Sequence, residues 1–320
     1  MHGAARHPHP SPGLRETPGA TFPQRGKAIK KGEPEDVKVI ANCNLKGGVA
    51  KTTTTVNLAA DLARFEGKRV LVIDADSQAN TTGFFGCVGG EADDVTLADL
   101  LRMPKSERTN FSVSFDLLRA IRPSSFEGVD LLPADSSLMD LDLSKVESEQ
   151  VFTEVLARGL PELATEYDFV LIDCPPAFNA ASAAALLAAD AVLIPIKIDA
   201  FALEGMGNLM QQIVNMRRIN PRLLVLGLLP VMWYRSPAVG RAELALRDTG
   251  LRVFPHIRRS DKVDDMTFTQ EPLCVCSPKS GACKDYKLLA RLIAGTGDAE
   301  AALENSEFGI RNSEGGAENG

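Results

Sequence analysis

Apolar residues along this chain fall into two alternating signatures. Short, nearly continuous apolar runs occupy residues 37–41, 69–74, 128–133, 168–173, 191–198 and 223–231. They are rich in Val, Ile and Leu and are bounded by Gly, Asp or Pro, which predicts buried strands. Between them, apolar residues recur every three or four positions. Residues 52–65 place Val56, Leu58, Ala59, Leu62, Ala63 and Phe65 in such a pattern. Further helices are predicted over 96–103 with Thr96 as cap, over 149–165 with a break at 159–161, and over the alanine-rich 180–189. Others follow Leu203 and Arg241, and the last covers 284–293. Strands with no polar alternation must be covered on both faces. The fold class is therefore α/β: a mostly parallel, doubly wound sheet with helices on both faces. Ligands of such sheets bind at the carboxyl ends of the strands.

The ends of the 320-residue chain break this pattern. Residues 1–34 are rich in Pro, Gly, His and basic residues and read as a disordered basic arm. Residues 294–320 are Gly-, Glu- and Asn-rich, contain the near-repeat Asn305-Ser306-Glu307 and Asn312-Ser313-Glu314, and read as a disordered acidic tail. Residues 35–293 then form one domain, near the upper size for a single core. A hydrophobic content of 44% and a charged content of 24% fit a soluble globular protein. The N-terminus has no apolar segment of the secretory kind. The longest apolar run, 223–233, is interrupted by Gly227 and Pro230 and falls short of the roughly 18 residues a membrane span needs. Six cysteines in a chain of this size suggest no disulfide framework. Cys43 and Cys174 read as small buried hydrophobes. Cys274, Cys276 and Cys283 have a spacing that matches no common zinc pattern. A cytoplasmic protein is expected.

Charge changes the picture through its distribution. From Arg217 to Lys262 there are ten Arg or Lys and three acids, so this stretch is +7 within a chain of −7, and −14 lies elsewhere. A localised basic surface on an acidic protein suits a polyanion, although charge runs are often only solvated helix faces.

Candidate chemistry concentrates at three strand ends. Lys46-Gly47-Gly48-Val49-Ala50-Lys51-Thr52 lies between the first strand and the first helix. Successive backbone N–H groups and a helix N-terminus there make an anion cradle. Lys51 adds a point charge for β/γ-phosphates, and the Thr52 hydroxyl suits Mg²⁺. The strict pattern G-x-x-x-x-G-K-[ST] is not met, because Leu45 and Ala50 occupy its glycine positions. Ala50 is tolerable there at negative φ and costly at positive φ. The second cluster, Asp74-Ala75-Asp76-Ser77-Gln78-Ala79-Asn80, returns to the loop after one helix, a turn and a strand. Its carboxylates either position water and hold Mg²⁺ through its hydration shell, or merely cap the following turn. The third is Val170-Leu171-Ile172-Asp173-Cys174-Pro175-Pro176, an apolar strand ending in a carboxylate, weak evidence by itself.

Together these residues resemble the ParA/MinD group of ATPases. K-G-G-x-x-K-T is that group's deviant Walker A loop, Asp74 to Gln78 matches its D-x-D-P-Q with Ser77 in place of proline, and Asp173 to Pro176 matches D-x-P-P. Pro195 and Ala202-Leu203-Glu204-Gly205 match its I-P and A-L-E-G segments, and the likeness runs from residue 37 to about 292. The resemblance implies a P-loop NTPase fold and an ATP hydrolase using ATP and Mg²⁺. It implies nucleotide contacts from Lys46, Gly47, Gly48, Val49, Ala50, Lys51, Thr52 and Thr53, and metal contacts at Thr52, Asp76 and Asp173. Lys46, Lys51 and Asp76 are the implied catalytic residues, Asp76 for hydrolysis and Asp74 in support. Lys46 is expected to reach across a two-fold homodimer to the partner's nucleotide. The base is expected near Met232 and Pro255. Non-specific DNA, a ParB-like stimulator and a nucleoid-associated location are expected, with Arg235, Arg258, Arg259 and Lys262 as candidate DNA contacts. The cargo would be a chromosome, a plasmid or a mobile element.

Competing readings share the loop. A MinD-like positioning ATPase should end in a basic amphipathic helix for lipid. After Gly297 this chain instead has Asp298, Glu300, Glu304, Glu307, Glu314 and Glu318 against Arg311, so no membrane partner is expected. An iron–sulfur reductase needs paired interface cysteines, and Cys87 and Cys174 lack the surrounding pattern. A tyrosine kinase of this group should have a tyrosine-rich tail, whereas Tyr167, Tyr234 and Tyr286 all lie earlier. An ATP-switched DNA-binding regulator with little turnover remains open if Ala50 or Ser77 slows hydrolysis.

Overall fold

The apolar runs become strands of one sheet. The computed structural model describes residues 39–86, 95–141, 143–146, 151–163, 166–199 and 202–295, all in the unit that begins at Pro34. The expected arm, the expected tail beyond Gly295, Cys87 and residues 149–150 and 164–165 of the predicted 149–165 helix lie outside the described residues; residues 151–154 are irregular, so that helix begins only at Val155.

The chain runs β1 (Val39–Asn42), α1 (Lys51–Glu66), β2 (Val70–Asp74), α2 (Asn80–Phe85), α3 (Leu97–Leu101) and α4 (Asn110–Ala120). It continues through β3 (Arg122–Pro123), β4 (Val129–Leu132), α5 (Val155–Gly159), β5 (Phe169–Asp173), α6 (Ala180–Ala188) and β6 (Ala191–Lys197). It closes with α7 (Ala202–Met216), β7 (Leu224–Val231), α8 (Pro237–Arg247), α9 (Lys262–Thr269), α10 (Leu273–Cys276) and α11 (Gly281–Ala294). The seven strands lie in the order β3-β4-β2-β5-β1-β6-β7. Every pairing is parallel except the short β3 edge, which runs antiparallel to β4.

Alternate strand residues feed two cores. Ile40, Val70, Val72 and Leu171 pack with Leu58 and Leu62 of α1 and Tyr286 and Leu289 of α11. Ala41, Leu71, Ile73, Val170 and Ile172 pack with α3 to α8 on the other face, through side chains such as Leu101, Leu117, Leu156 and Leu209. The three central strands are therefore apolar on both faces up to the polar residues at their carboxyl ends, and the doubly wound α/β expectation holds. No helix among the described residues is long and apolar enough to cross a membrane.

Several predicted details are realised. Thr96 and Asp99 form a reciprocal capping box at α3. The 159–161 break is real: α5 stops at Gly159 and a 3-10 turn, Leu160–Leu163, follows. A Cβ on Gly159 would lie 2.6 Å from Leu117 Cδ2, so glycine lets α5 press against α4. The hydrophobic pattern did not reveal α2 or α4. On α4, Phe115 and Leu118 face solvent while Val113 and Leu117 are buried, which blurs its apolar face. Residues 251–258 also run beside β7, bridging Leu228 to Val253 and Trp233 to Arg258 in parallel sense, without forming a regular strand.

Candidate functional site

Strand register brings the sequence-distant carboxylates together. Asn42 of β1 is paired with Asp173 of β5, and Asp173 with Asp74 of β2, so three adjacent strands end on one line of polar side chains. All three are buried. The Thr52 hydroxyl donates to Asp173 Oδ2 at 2.7 Å and the Thr81 hydroxyl to the same oxygen at 2.6 Å. The Thr55 hydroxyl lies 3.4 Å from Oδ1. Burial raises Asp173 to about 6, against the hydroxyls of Thr81 and Thr52 and the Lys51 charge, with Asp76 adding to the rise. Burial, then the Asp173 charge, raises Asp74 to about 7. Asp74 Oδ2 accepts from the Thr82 N–H at 2.8 Å and its hydroxyl at 2.7 Å, a supporting arrangement. Two carboxylates in a dry place repel each other, and a divalent cation would relieve both.

The loop between β1 and α1 is anchored from below. The Lys46 N–H donates to Asn44 Oδ1 at 3.0 Å, and Asn44 Nδ2 donates to the Pro195 carbonyl of β6 at 2.7 Å. Gly48 (φ 69°) and Ala50 (φ 57°) both take left-handed conformations. Ala50 thus stands on the costly side of the sequence expectation, with strain of about 1 kcal/mol relative to glycine. Lys51 is buried, and its Nζ donates to the Lys46 carbonyl at 3.3 Å, curled over the loop it closes. A Cβ on Gly48 would have nothing within 4 Å, and one on Gly47 would meet only Pro176 Cβ at 4.0 Å. The space over the loop is open, cationic at Lys51 and faced by the N-terminus of α1, as a phosphate chain requires.

Asp76 is half-buried beside this line. Its N–H donates to Asp74 Oδ1 at 3.1 Å, and its own Oδ1 accepts from the Gln78 N–H at 3.0 Å. The turn-capping geometry is present, and it holds the carboxylate next to Asp173. Lys46 does not extend outward: its Nζ sits 2.7 Å from Asp199 Oδ2, just past β6. Val49 is buried and Thr53 half-buried at the start of α1.

Sequence reasoning missed Thr55, Thr81 and Asp199. Thr55 lies one helical turn beyond Thr52, so helix spacing carried its signal. Thr81 lies on the unpredicted α2, and nothing local marks Asp199. Among the described residues, no group of three or more His, Cys, Asp or Glu side chains is placed to hold a metal alone. Oxygen donors from Thr52, Asp173 and Asp76 suit Mg²⁺, which keeps much of its water and leans on phosphate oxygens. The residues present therefore fit a magnesium–nucleotide complex.

The basic stretch divides in space. Arg217, Arg218 and Arg222 precede β7, whereas Arg235, Arg258, Arg259 and Lys262 lie beyond its carboxyl end. The eight residues of β7 separate the groups by about 25 Å. The Arg259 N–H donates to the Trp233 carbonyl at 2.8 Å, which holds this segment beside the chain leading to Arg235. Arg235 and Arg259 are exposed. Arg258 makes a two-pronged pair with Asp285 at 2.8 and 2.7 Å and donates to the Gly281 carbonyl at 3.1 Å. Lys262 Nζ lies 2.7 Å from Asp265. Trp233 stacks on His256 with ring centroids 3.9 Å apart. Buried Glu243 accepts from Trp233 Nε1 at 2.9 Å. Burial opposes its charge, but His256 and Arg247 keep its carboxyl below the usual range.

A family model described as an AAA domain matches residues 37–225. The chromosome partitioning protein ParA of Caulobacter vibrioides is 34% identical over 267 residues, covering 80% of this chain and 93% of that protein. The ATP complex of a McdA variant from Cyanothece superposes with a TM-score of 0.68 at 25% identity, covering 82% of this chain and 98% of the other. Cobyrinic acid a,c-diamide synthase of Mycobacterium smegmatis, with bound ADP and magnesium, superposes with a TM-score of 0.63 at 28% identity, covering 80% and 94%.

Proposed function

Because the chain belongs to the ParA-like family of P-loop ATPases, we propose that it is a Mg-ATP-dependent ATPase that dimerises on ATP, binds DNA non-specifically and acts in DNA segregation with a ParB-like stimulator. The observation that carries this reading is the convergence of Lys51, Thr52, Asp76 and Asp173 around an open phosphate loop that also bears a second lysine, Lys46. The likeness to a chromosome partitioning protein supports DNA as the cargo and, with it, a nucleoid-associated, cytoplasmic location as part of the same reading.

Phosphoryl transfer needs positioning and charge neutralisation rather than covalent help from the protein. Mg²⁺ bound beside Thr52 would neutralise charge on the phosphate oxygens. Lys51 brings a buried ammonium to the β/γ-phosphates, and Gly47 to Thr53 supply backbone N–H groups. Asp173 holds the Thr52 hydroxyl in place, with Thr81 fixing the same carboxylate. Asp76 would orient the attacking water. Lys46 would act on the partner's nucleotide, coupling ATP binding to pairing. A dimer doubles the basic surface around Arg235, Arg258, Arg259 and Lys262, so weak phosphate contacts gain from avidity.

The test is analytical ultracentrifugation beside a phosphate-release assay. Lys46→Ala should bind ATP yet stay monomeric, and Asp76→Ala should accumulate as an ATP-bound dimer with turnover lowered at least a hundredfold. Normal ATP dimers of Lys46→Ala, or full turnover by Asp76→Ala, would refute those roles. Left-handed Ala50 favours a second reading, an ATP-switched DNA-binding protein with little turnover. DNA binding that needs ATP but shows no phosphate release, even with the stimulator, would select it.

A further inference from the structure

We propose that Asp199 restrains Lys46 in an autoinhibitory ion pair within the single chain, and that this pair must open before two copies join on ATP. The inference rests on the dimerising reading above and adds a regulatory residue to it.

Lys46 Nζ lies 2.7 Å from Asp199 Oδ2, with the two side chains 35% and 28% exposed. Both ends of the pair share one base. Asn44 fixes the start of the loop to Pro195 of β6, and Asp199 stands two residues past the end of that strand. The pair is thus preorganised, which places it toward the stronger end of partly exposed ion pairs.

The surrounding charge makes Asp199 conspicuous. The strand ends beside the loop already carry Asp74, Asp76 and Asp173. A further carboxylate near a phosphate site repels the ligand unless a cation offsets it, and Lys46 is a cation in direct contact with it. While it is held there, its charge is turned toward its own chain and away from a neighbour's nucleotide. A triphosphate with its terminal charge exposed competes for the lysine better than a diphosphate does. The contact therefore sets a threshold that ATP crosses and ADP does not. After hydrolysis, return of Lys46 to Asp199 favours separation of the two copies. Two such pairs open for each dimer formed, so their effects multiply.

The experiment is sedimentation equilibrium of the full chain with Mg-ATP or Mg-ADP, comparing the unaltered protein with Asp199→Asn and Asp199→Glu. Asp199→Asn should lower the dimer dissociation constant in ATP about tenfold and produce some dimer in ADP. Asp199→Glu, which keeps the charge, should stay near the unaltered protein. Asp199→Ser repeats the test should the amide variant fail to fold. If the unaltered protein dimerises on ATP and Asp199→Asn dimerises equally or less, the restraint is overturned and the ATPase reading stands. If the unaltered protein forms no ATP dimer at all, the dimerising reading fails and the restraint fails with it.

Discussion

Ala50 shows how far a single residue can be read from sequence. Its identity and its place in the loop were plain, and the two outcomes differed only in the sign of φ. The structure puts it at φ 57°, because the chain must turn sharply from the loop into α1. A methyl in that conformation clashes with its own backbone, at about 1 kcal/mol relative to glycine. Ala50→Gly should therefore raise the melting temperature by roughly 2–4 °C, checked by calorimetry. A lower melting temperature would mean the loop is unstrained. Ser77, where the related pattern has proline, sits in a turn already held by Asp74 and Asp76. Side chains there supply the rigidity that a proline ring would have provided.

At the scale of elements, α1 was fully legible while its neighbours were not. Its apolar spacing announces a helix, but only the fold shows what it is fastened to. Buried Asn57 accepts from the Leu273 N–H of α10 at 2.9 Å and approaches Met266 of α9 at 3.4 Å. The Thr54 and Tyr286 hydroxyls meet at 3.3 Å, joining α1 to α11. These polar ties carry no periodic signal, since each depends on a partner more than 200 positions away. Asp61 lies on the same buried face and makes a hydrogen bond with Cys274. Burial raises it from 3.8 to about 7, despite that bond and the charges of Lys287 and Arg64. The folded state holds this proton more tightly than the unfolded chain does. Stability therefore falls as pH rises from about 4 to about 7, and the penalty is complete above that range. Asp61→Asn removes the penalty. Its gain in urea-unfolding free energy should be about 2–3 kcal/mol larger at pH 8 than at pH 5. An equal gain at both values would show that Asp61 ionises normally.

Across the whole molecule, charge has to be read in space. Counted along the chain, residues 217–262 form one basic stretch, yet β7 carries three of its arginines to one end of the sheet and the candidate DNA contacts to the other. The carboxyl end is also where the phosphate loop lies, so under the proposed nucleotide-driven pairing the second group is the one expected to meet DNA. Arg235→Ala and Arg259→Ala should each reduce the salt dependence of ATP-dependent DNA binding, measured as log affinity against log salt, by about 0.9. The pair Arg217→Ala and Arg218→Ala should leave that slope unchanged. A larger loss from the second pair would move the DNA surface to the opposite end. By itself, the sequence determined the α/β class, the strand–loop–helix unit, the chemistry of Lys46 to Thr52 and the identities of Asp74, Asp76 and Asp173. Those features are local, because periodicity reports which face is buried and turn chemistry reports where a strand ends. Tertiary structure alone decided that Asn42, Asp173 and Asp74 stand in line, that the Thr81 hydroxyl meets Asp173, that Ala50 is left-handed, and that Lys46 meets Asp199. Each of these depends on strand order, register or loop closure, through which contacts form between residues that share no local pattern.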